Sequence, residues 1–561
     1  MEGSFELLDW LFLIAYFAGT MGIAAFFYRR TRSEEGYTVG GRSLPGWVCG
    51  LSIFATFLSS ISYLALPGKT FAGNWNPFVF SLSIPLVAIV AVRYFVPYYR
   101  SSREVSAYAL LETRFGLWAR VYASVFYLLT QVARIGVVLY LMALPMQVIF
   151  GWNIYTVLMV TGICVTVYSF IGGIVAVIWT DAIQAIVLMA GAVLCLGFML
   201  FEVPGGVSSV VQSAGDAGKF SLGDFGLSFN APTFWVVLVY GIMINLQNFG
   251  IDQSYVQRYL ASSSAREARR SLWLGALLYV PVSALFFFIG STLWVVYQDK
   301  DGSVPELSAV SELDSVKHIV ARQKLLQQGF DLGDPATQVR ETELVGTLQS
   351  GDIGDRVFPH FISTRLPPGV KGLLIAAIFA AAMSTVSTSL NSSATLIMSD
   401  FFKRFFKPAQ GARSTMFVLY GSTILWGVLG TGLALFLVRL TESALDIWWT
   451  LSGILGGGMS GLFLLGMISR RAGNRAAIAG VTLGVGIIFL FSVPKLFSVF
   501  LSLPKANLLR QFAESFEGSY DGLGRLFHAY MIPVLGTLAI LLVGTILSRV
   551  RIFSRKSSAG V

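Results

Sequence analysis

Residues 52–70, SIFATFLSSISYLALPGKT, gather Thr56, Ser59, Ser60 and Ser62 near the centre of a run otherwise apolar enough for a bilayer, with Pro67–Gly68 close behind. Residues 376–395, AAIFAAAMSTVSTSLNSSAT, repeat the oddity. At about 100° per helical residue, Ala381, Ser384, Thr385 and Thr388 fall on one stripe with Ser387 beside it, so several oxygens point one way. Small residues in membrane helices ordinarily serve close packing, and that reading stays open for any single serine. As a set they suit another chemistry. A hard monovalent cation such as sodium takes about five or six oxygens and tolerates neutral ones, by the logic of hard-cation oxygen sites. Hydroxyls supply some of them, and carbonyls freed where a helix unwinds supply others. Unwound backbone at membrane depth persists only where it lines a cavity or binds something. The first stretch would then offer carbonyls at Ala55 and Leu58, and the second the hydroxyls.

Two charges stand out beside these stretches. Asp181, in VIWTDAIQ, is costly at the end of an apolar span unless paired or hydrated. It reads either as a loop-facing acid at a helix start, where the dipole favours it, or as an anionic ligand for a second cation beside Ser387 and Thr388. Arg134, in LTQVARIGVVLYL, sits too deep in a long span to snorkel. Its partner is either an internal acid such as Asp252 or a solute carboxylate, which a guanidinium fork suits better than an ammonium. One further span has a weak centre: INLQNFGIDQSYVQRY puts Asn245, Gln247, Asn248, Gly250 and Asp252 where a plain span would carry Leu and Val.

The elements that must hold these residues are membrane helices. Of 561 residues, 55% are hydrophobic and only 12% charged, against roughly 25% charged in soluble proteins. The runs are continuously apolar rather than alternating, which excludes a β-barrel. About thirteen spans are expected, near 7–28, 44–67, 77–98, 118–150, 154–176, 181–202, 232–258, 268–298, 357–402, 414–438, 444–469, 475–494 and 527–549. The first reads as a retained span, not a cleaved signal. Basic groups Arg29/Arg30/Arg32/Arg42, Arg100/Arg103, Arg266/Arg269/Arg270, Lys403/Arg404/Lys407, Arg470/Arg471/Arg475 and Arg549/Arg551/Arg555/Lys556 then share one side. By the positive-inside rule that side is cytoplasmic, with the N-terminus outside and the C-terminus inside. Interrupted helices in corresponding positions point to a transporter of inverted repeats. The expected organisation is an extra helix and loop at 1–43, a five-helix repeat at 44–202, an outer loop at 203–231, a second repeat at 232–469 with an outer insertion at 299–355, and C-terminal helices at 470–561. The two outer segments read as solvated connections or, more sharply, as a lid over an outer mouth. Residues 300–303 read as a turn, and 495–526 as holding a short interfacial helix.

Other function classes fit poorly. The net charge of +10 is spread over short loops and forms no face for nucleic acid. Cys49, Cys164 and Cys195 make neither a disulfide framework nor a zinc spacing. No GxxxxGK[ST] loop for nucleotide occurs. His318, His360 and His528 are the only histidines, and none is spaced with Asp181 or Arg134 for general-base or metal chemistry, so an enzyme is not expected. A channel or solute sensor on the same architecture is the less favoured reading.

The segments GGRSLPGWVCGLSIFATFLSSISYLALPGKTF, ARIGVVLYL, GGIVAVIWTDAIQ, DQSYVQRY, GLLIAAIFAAAMSTVSTSLNSSAT and GGGMSGLFLLG resemble the sodium/solute symporter family, in particular its bacterial sialic acid branch. The resemblance is collinear from about residue 5 to 490. It implies an all-α LeuT-type fold of five-plus-five inverted repeats with an additional N-terminal helix, placed in the bacterial inner membrane. It implies a principal sodium on the carbonyls of Ala55, Leu58 and Ala381 and the hydroxyls of Ser384 and Thr385. It implies a second sodium at Asp181, Ser384, Thr385, Ser387 and Thr388, and a solute carboxylate on Arg134 helped by Ser59 and Ser62. Asn245, from the weak-centred span, joins the expected solute contacts. Two pocket positions depart from the branch: a threonine there is Phe57 here, and a glutamine is Ser81. The expected activity is import of a small, anionic solute such as sialic acid with one or two sodium ions by alternating access; a neutral sugar or polyol is the alternative. The expected partners are solute, sodium and membrane lipid, without nucleic acid, the chain acting as a monomer.

Overall fold

In hydrocarbon every backbone N–H and C=O must be satisfied within the chain, so apolar runs close into helices. The computed structural model describes residues 5–27, 33–102, 104–297, 311–327, 330–406, 412–439, 444–501, 511 and 526–550. Among them the regular structure is helical, apart from one isolated bridge between Leu44 and Ser262. In chain order the main helices are α1 Leu7–Phe27; a bent pair, α2 Gly46–Phe57 and α3 Ile61–Ala72; α4 Phe78–Ser101; α5 Leu117–Phe150; and α6 Ile154–Glu202. A second interrupted pair follows, α7 Phe234–Ile251 and α8 Gln253–Ala261, then α9 Ala265–Val296, α10 Ser350–Arg365 and α11 Val370–Phe405. The chain closes with α12 Ala412–Leu437, α13 Ala444–Ile468, α14 Asn474–Leu501 and α15 Met531–Leu547.

Among the described residues ten helices are long and apolar enough to cross a membrane, or eleven with the bent pair counted as one. The expected spans near 154–176 and 527–549 fall on the shorter apolar helices Ile154–Val167 and Met531–Leu547. Between the first of these and the next span the chain turns at Gly173, whose φ of 51° is a conformation open to glycine and rare for other residues. The following span therefore runs Gly172–Glu202, and Asp181 lies well inside it instead of at its start. The loop-facing reading of Asp181 is thereby corrected. The span expected at 357–402 also divides: α10 ends at Arg365, before Pro367–Pro368–Gly369, and the crossing helix begins at Val370. The insertion expected at 299–355 carries helices Asp314–Gln327 and Pro335–Thr347 ahead of α10. The turn read at 300–303 lies outside the described residues, as does most of 495–526.

Of the crossing helices α11 is the most enclosed and α1 the least. Alanine, serine and threonine along α11 let neighbours approach on every side. It packs against α6, α5 and α2, and α1 lies over α6 and α11. The start of α11 is pinned by α1: buried Asp9 accepts hydrogen bonds from the Gly369 and Gly372 amides at 2.7 and 2.8 Å, a carboxylate at a helix N-terminus. On the other side α10 crosses α3 at Gly68 and Gly354, where a Cβ on Gly68 would stand 2.6 Å from the Gly354 carbonyl carbon. Gly68→Ala is therefore expected to force the two backbones apart at a cost of about 1–3 kcal/mol. Thermal unfolding of the purified chain should show a lowered midpoint; an unchanged midpoint would contradict this close crossing.

Candidate functional site

The first break falls within the hydroxyl cluster. Leu58 (φ −88°, ψ 81°) leaves the helical range, and the Ser59 amide bonds to the Phe57 carbonyl instead of reaching back to Ala55. Serine suits the place because its Oγ accepts the Ile61 amide at 3.1 Å and so starts the second half-helix. The halves are bent by 55°. The released Ala55 carbonyl faces α11, where Ser384 Oγ lies 3.3 Å from it and 3.2 Å from the Ala381 carbonyl. Thr385 Oγ1 is also 3.2 Å from the Ala381 carbonyl. Four of the five oxygens expected around a principal cation thus meet in one buried cluster, and Leu58 is buried at the break itself. All are neutral and close-set, a donor set that fits a small hard monovalent ion.

The second break falls at Asp252 (φ −71°, ψ 119°), whose carboxylate caps α8 by accepting the Ser254 amide at 2.8 Å. Its other oxygen receives Arg134 Nη2 at 3.1 Å. Arg134 also stacks on Trp448, 5.2 Å from the ring centre, while its Nη1 is buried without a hydrogen-bond partner. The internal acid and the cavity are both realised in this one side chain, since Arg134 lines a cavity between the breaks together with Phe57, Ser59, Ser62 and Ser81. Thr385 lines it too, so one residue belongs to both the cation cluster and the cavity wall. The cavity holds about 70 Å³, below the roughly 300–1,000 Å³ of small-ligand pockets. Its walls must move to load a solute.

The two departures shape that wall. Phe57 packs among Phe249, Tyr255 and Tyr279 with ring centres 5.1–5.2 Å apart. Ser81 is engaged by Ser283 at 2.8 Å. Ser62 Oγ approaches the Phe57 carbonyl at 3.4 Å and the Tyr279 hydroxyl at 3.3 Å. Asn245 is not brought to the cavity: it is fully buried and donates to Ser83 Oγ at 2.9 Å on α4, while its neighbours Ile244 and Asn248 line the space.

Asp181 meets an arginine. Its Oδ2 receives Ser52 Oγ at 2.6 Å and Arg258 Nη2 at 3.0 Å, with Thr388 Oγ1 at 3.5 Å. Ser387 Oγ instead lies 3.2 Å from the Ser384 carbonyl of its own helix. Both members of the Arg258–Asp181 pair are fully buried. Arg258 escapes a sequence reading because a span over 232–258 places it at the helix mouth, where a basic residue needs no explanation. The break at Asp252 moves it onto a buried half-helix. Trp448, Trp449 and Tyr279 were likewise unmarked, since an aromatic residue in a membrane span carries no signal of its own.

The profile described as the Sodium:solute symporter family matches residues 37–302 and 337–484. The sodium/sialic acid symporter SiaT of Proteus mirabilis is 31% identical over 484 residues, covering 86% of this chain and 88% of that one. The sodium-coupled monocarboxylate transporter 1 of Homo sapiens is 25% identical over 495 residues, 86% of this chain and 73% of that one. A solved substrate-bound, outward-open Na+-coupled sialic acid symporter superposes with a TM-score of 0.77 at 27% identity, over 98% of this chain and all of that chain. A nucleobase-cation-symport-1 family transporter at 15% identity and a TM-score of 0.51 shares the fold alone. The architecture is thus the LeuT-type arrangement of helices. Ser384→Ala removes the oxygen that joins the break to α11, and about a tenfold rise in half-saturating sodium is expected, equivalent to ~1.4 kcal/mol. Sodium titration of solute binding would show it; an unchanged midpoint would remove Ser384 from the cation cluster.

Proposed function

The chain belongs to the sodium:solute symporter family, and from that premise we propose that the solute it moves with sodium is a carboxylate of the sialic acid type, held by Arg134 in the cavity between the two breaks. One observation carries the choice of an anion: Arg134 faces the cavity with Nη2 on Asp252 and Nη1 buried without a partner, leaving half of the guanidinium fork for a ligand. A fixed donor that is buried and unpaired costs about 1–3 kcal/mol, which a carboxylate would offset on binding. Ser59 and Ser62, on the same wall, add hydroxyls.

The family couples solute to sodium without making or breaking a covalent bond, so the work lies in alternating exposure of one site. The principal sodium is assigned to Ala55, Leu58, Ala381, Ser384 and Thr385. Binding there would fix the broken first core helix against α11, and Thr385 would pass the consequence to the solute cavity. A second sodium is assigned to Asp181, Ser384, Thr385, Ser387 and Thr388; the unpartnered, buried Asp181 Oδ1 supports a further cation there. Two sodium ions with a monoanion move one net positive charge, worth about 2.3 kcal/mol per 100 mV, whereas one sodium ion moves none. The basic loops support an N-terminus outside and a C-terminus in the cytoplasm, and the chain is proposed to act as a monomer in a bacterial inner membrane.

The Arg134–Asp252 contact favours one second reading, a neutral sugar or polyol carried while Arg134 stays paired internally. Uptake of labelled N-acetylneuraminic acid into proteoliposomes separates the two. Uptake driven by an inward sodium gradient, absent with choline and at least about tenfold lower in Arg134→Ala, is expected for the carboxylate. Sodium-driven uptake of a neutral sugar that survives Arg134→Ala, with none of the acid, would replace it.

A further inference from the structure

Arg258 Nη2 lies 3.0 Å from Asp181 Oδ2 and 2.6 Å from Thr388 Oγ1. Those two oxygens belong to the set assigned to the second sodium. These oxygens are 3.5 Å apart, so a cation bridging them on the guanidinium's side would collide with this nitrogen. The rest of the guanidinium is anchored elsewhere: Nε donates to Ser52 Oγ at 2.9 Å, and Nη1 to the Ser254 carbonyl at 2.6 Å. Arg258 and Asp181 are fully buried, so water cannot screen a third charge beside them. With the guanidinium on Asp181 the pair is neutral. Adding sodium without withdrawing Arg258 would crowd two positive charges onto one buried carboxylate.

We propose that Arg258 is a tethered stand-in for the second sodium: guanidinium and ion exchange on Asp181 and Thr388, and the arginine sets how tightly that sodium binds. The inference rests on the second-sodium reading above. Its mechanical consequence follows from where the contacts lie. Ser52 is on α2 and Arg258 on α8, the half-helices on either side of the two breaks, whereas Asp181 and Thr388 are on α6 and α11. In the arginine-bound arrangement one side chain ties all four helices together. Sodium in its place would keep α6 joined to α11, leave α2 on α6 through Ser52 Oγ and Asp181, and release α8. The exchange would therefore report occupancy of the second site to the second broken helix.

Equilibrium binding of radiolabelled sodium to the purified full chain tests the exchange. Two ions are expected at saturation, one weaker than the other. Arg258→Lys keeps the charge but has no fork to bridge Asp181, Thr388 and Ser52. Ser52→Ala keeps both charges and removes the hydroxyl that accepts from Nε and donates to Asp181, so it serves even if the first variant does not fold. Each should tighten the weaker site, by about three- to tenfold, the scale of one or two lost hydrogen bonds to a charged group. Two ions bound with the weaker site unchanged or weakened in the folded variants would overturn the exchange and leave the second sodium standing. A single ion in the intact chain, with Ser387→Ala indistinguishable from it, would remove the second sodium and the exchange with it.

Discussion

A helix interrupted in hydrocarbon must have its freed backbone groups satisfied by something other than water, at several kcal/mol for each group left without a partner. That constraint organises this molecule. The Ser59 amide turns to Phe57, the Ala55 carbonyl is released, and Ser384 on α11 meets it. A hydroxyl there satisfies the carbonyl only in part, and it leaves lone pairs that a small cation can use. The break is thus stable enough to fold, and the proposed sodium would complete it. The enclosure of α11 and its fixing by Asp9 hold the hydroxyls against the break.

The second break obeys the same constraint with charge in place of hydroxyls. Asp252 caps the half-helix it begins and also neutralises Arg134, so the cavity wall carries a guanidinium without an isolated buried charge. A short step along α8, Arg258 does the same for Asp181. Removing one member of such a pair leaves the other uncompensated, a cost of about 3–5 kcal/mol. Both pairs therefore hold the second interrupted helix to its neighbours α5 and α6.

Much of this was legible in the residues. Hydroxyls beside Pro67–Gly68 mark the first break, and the stripe on 376–395 marks its partner, because polar groups in a span are costly enough to need a reason. The family resemblance and the match over residues 37–302 and 337–484 agree. What misled was the position of turns. Hydropathy places a loop near Asp181, while the chain turns at Gly173, a glycine in an apolar run that hydropathy does not weigh. The same difficulty hid Arg258 and ran α10 into α11. Asn245 shares its polarity with Asn248, and the sequence could not say which of them faces the cavity: Asn248 does, while Asn245 bonds Ser83. Helical direction separates neighbours only once the break at Asp252 is known.

The central claim is that sodium and solute meet at one break and share Thr385, so each must change the affinity of the other by the same factor. The direct measurement is a reciprocal titration of the purified chain: N-acetylneuraminic acid binding at low and saturating sodium, and sodium binding with and without the acid. The account predicts equal and mutual tightening, of about tenfold or more (~1.4 kcal/mol of coupling). Binding of the acid that is indifferent to sodium, with sodium equally indifferent to the acid, would contradict it.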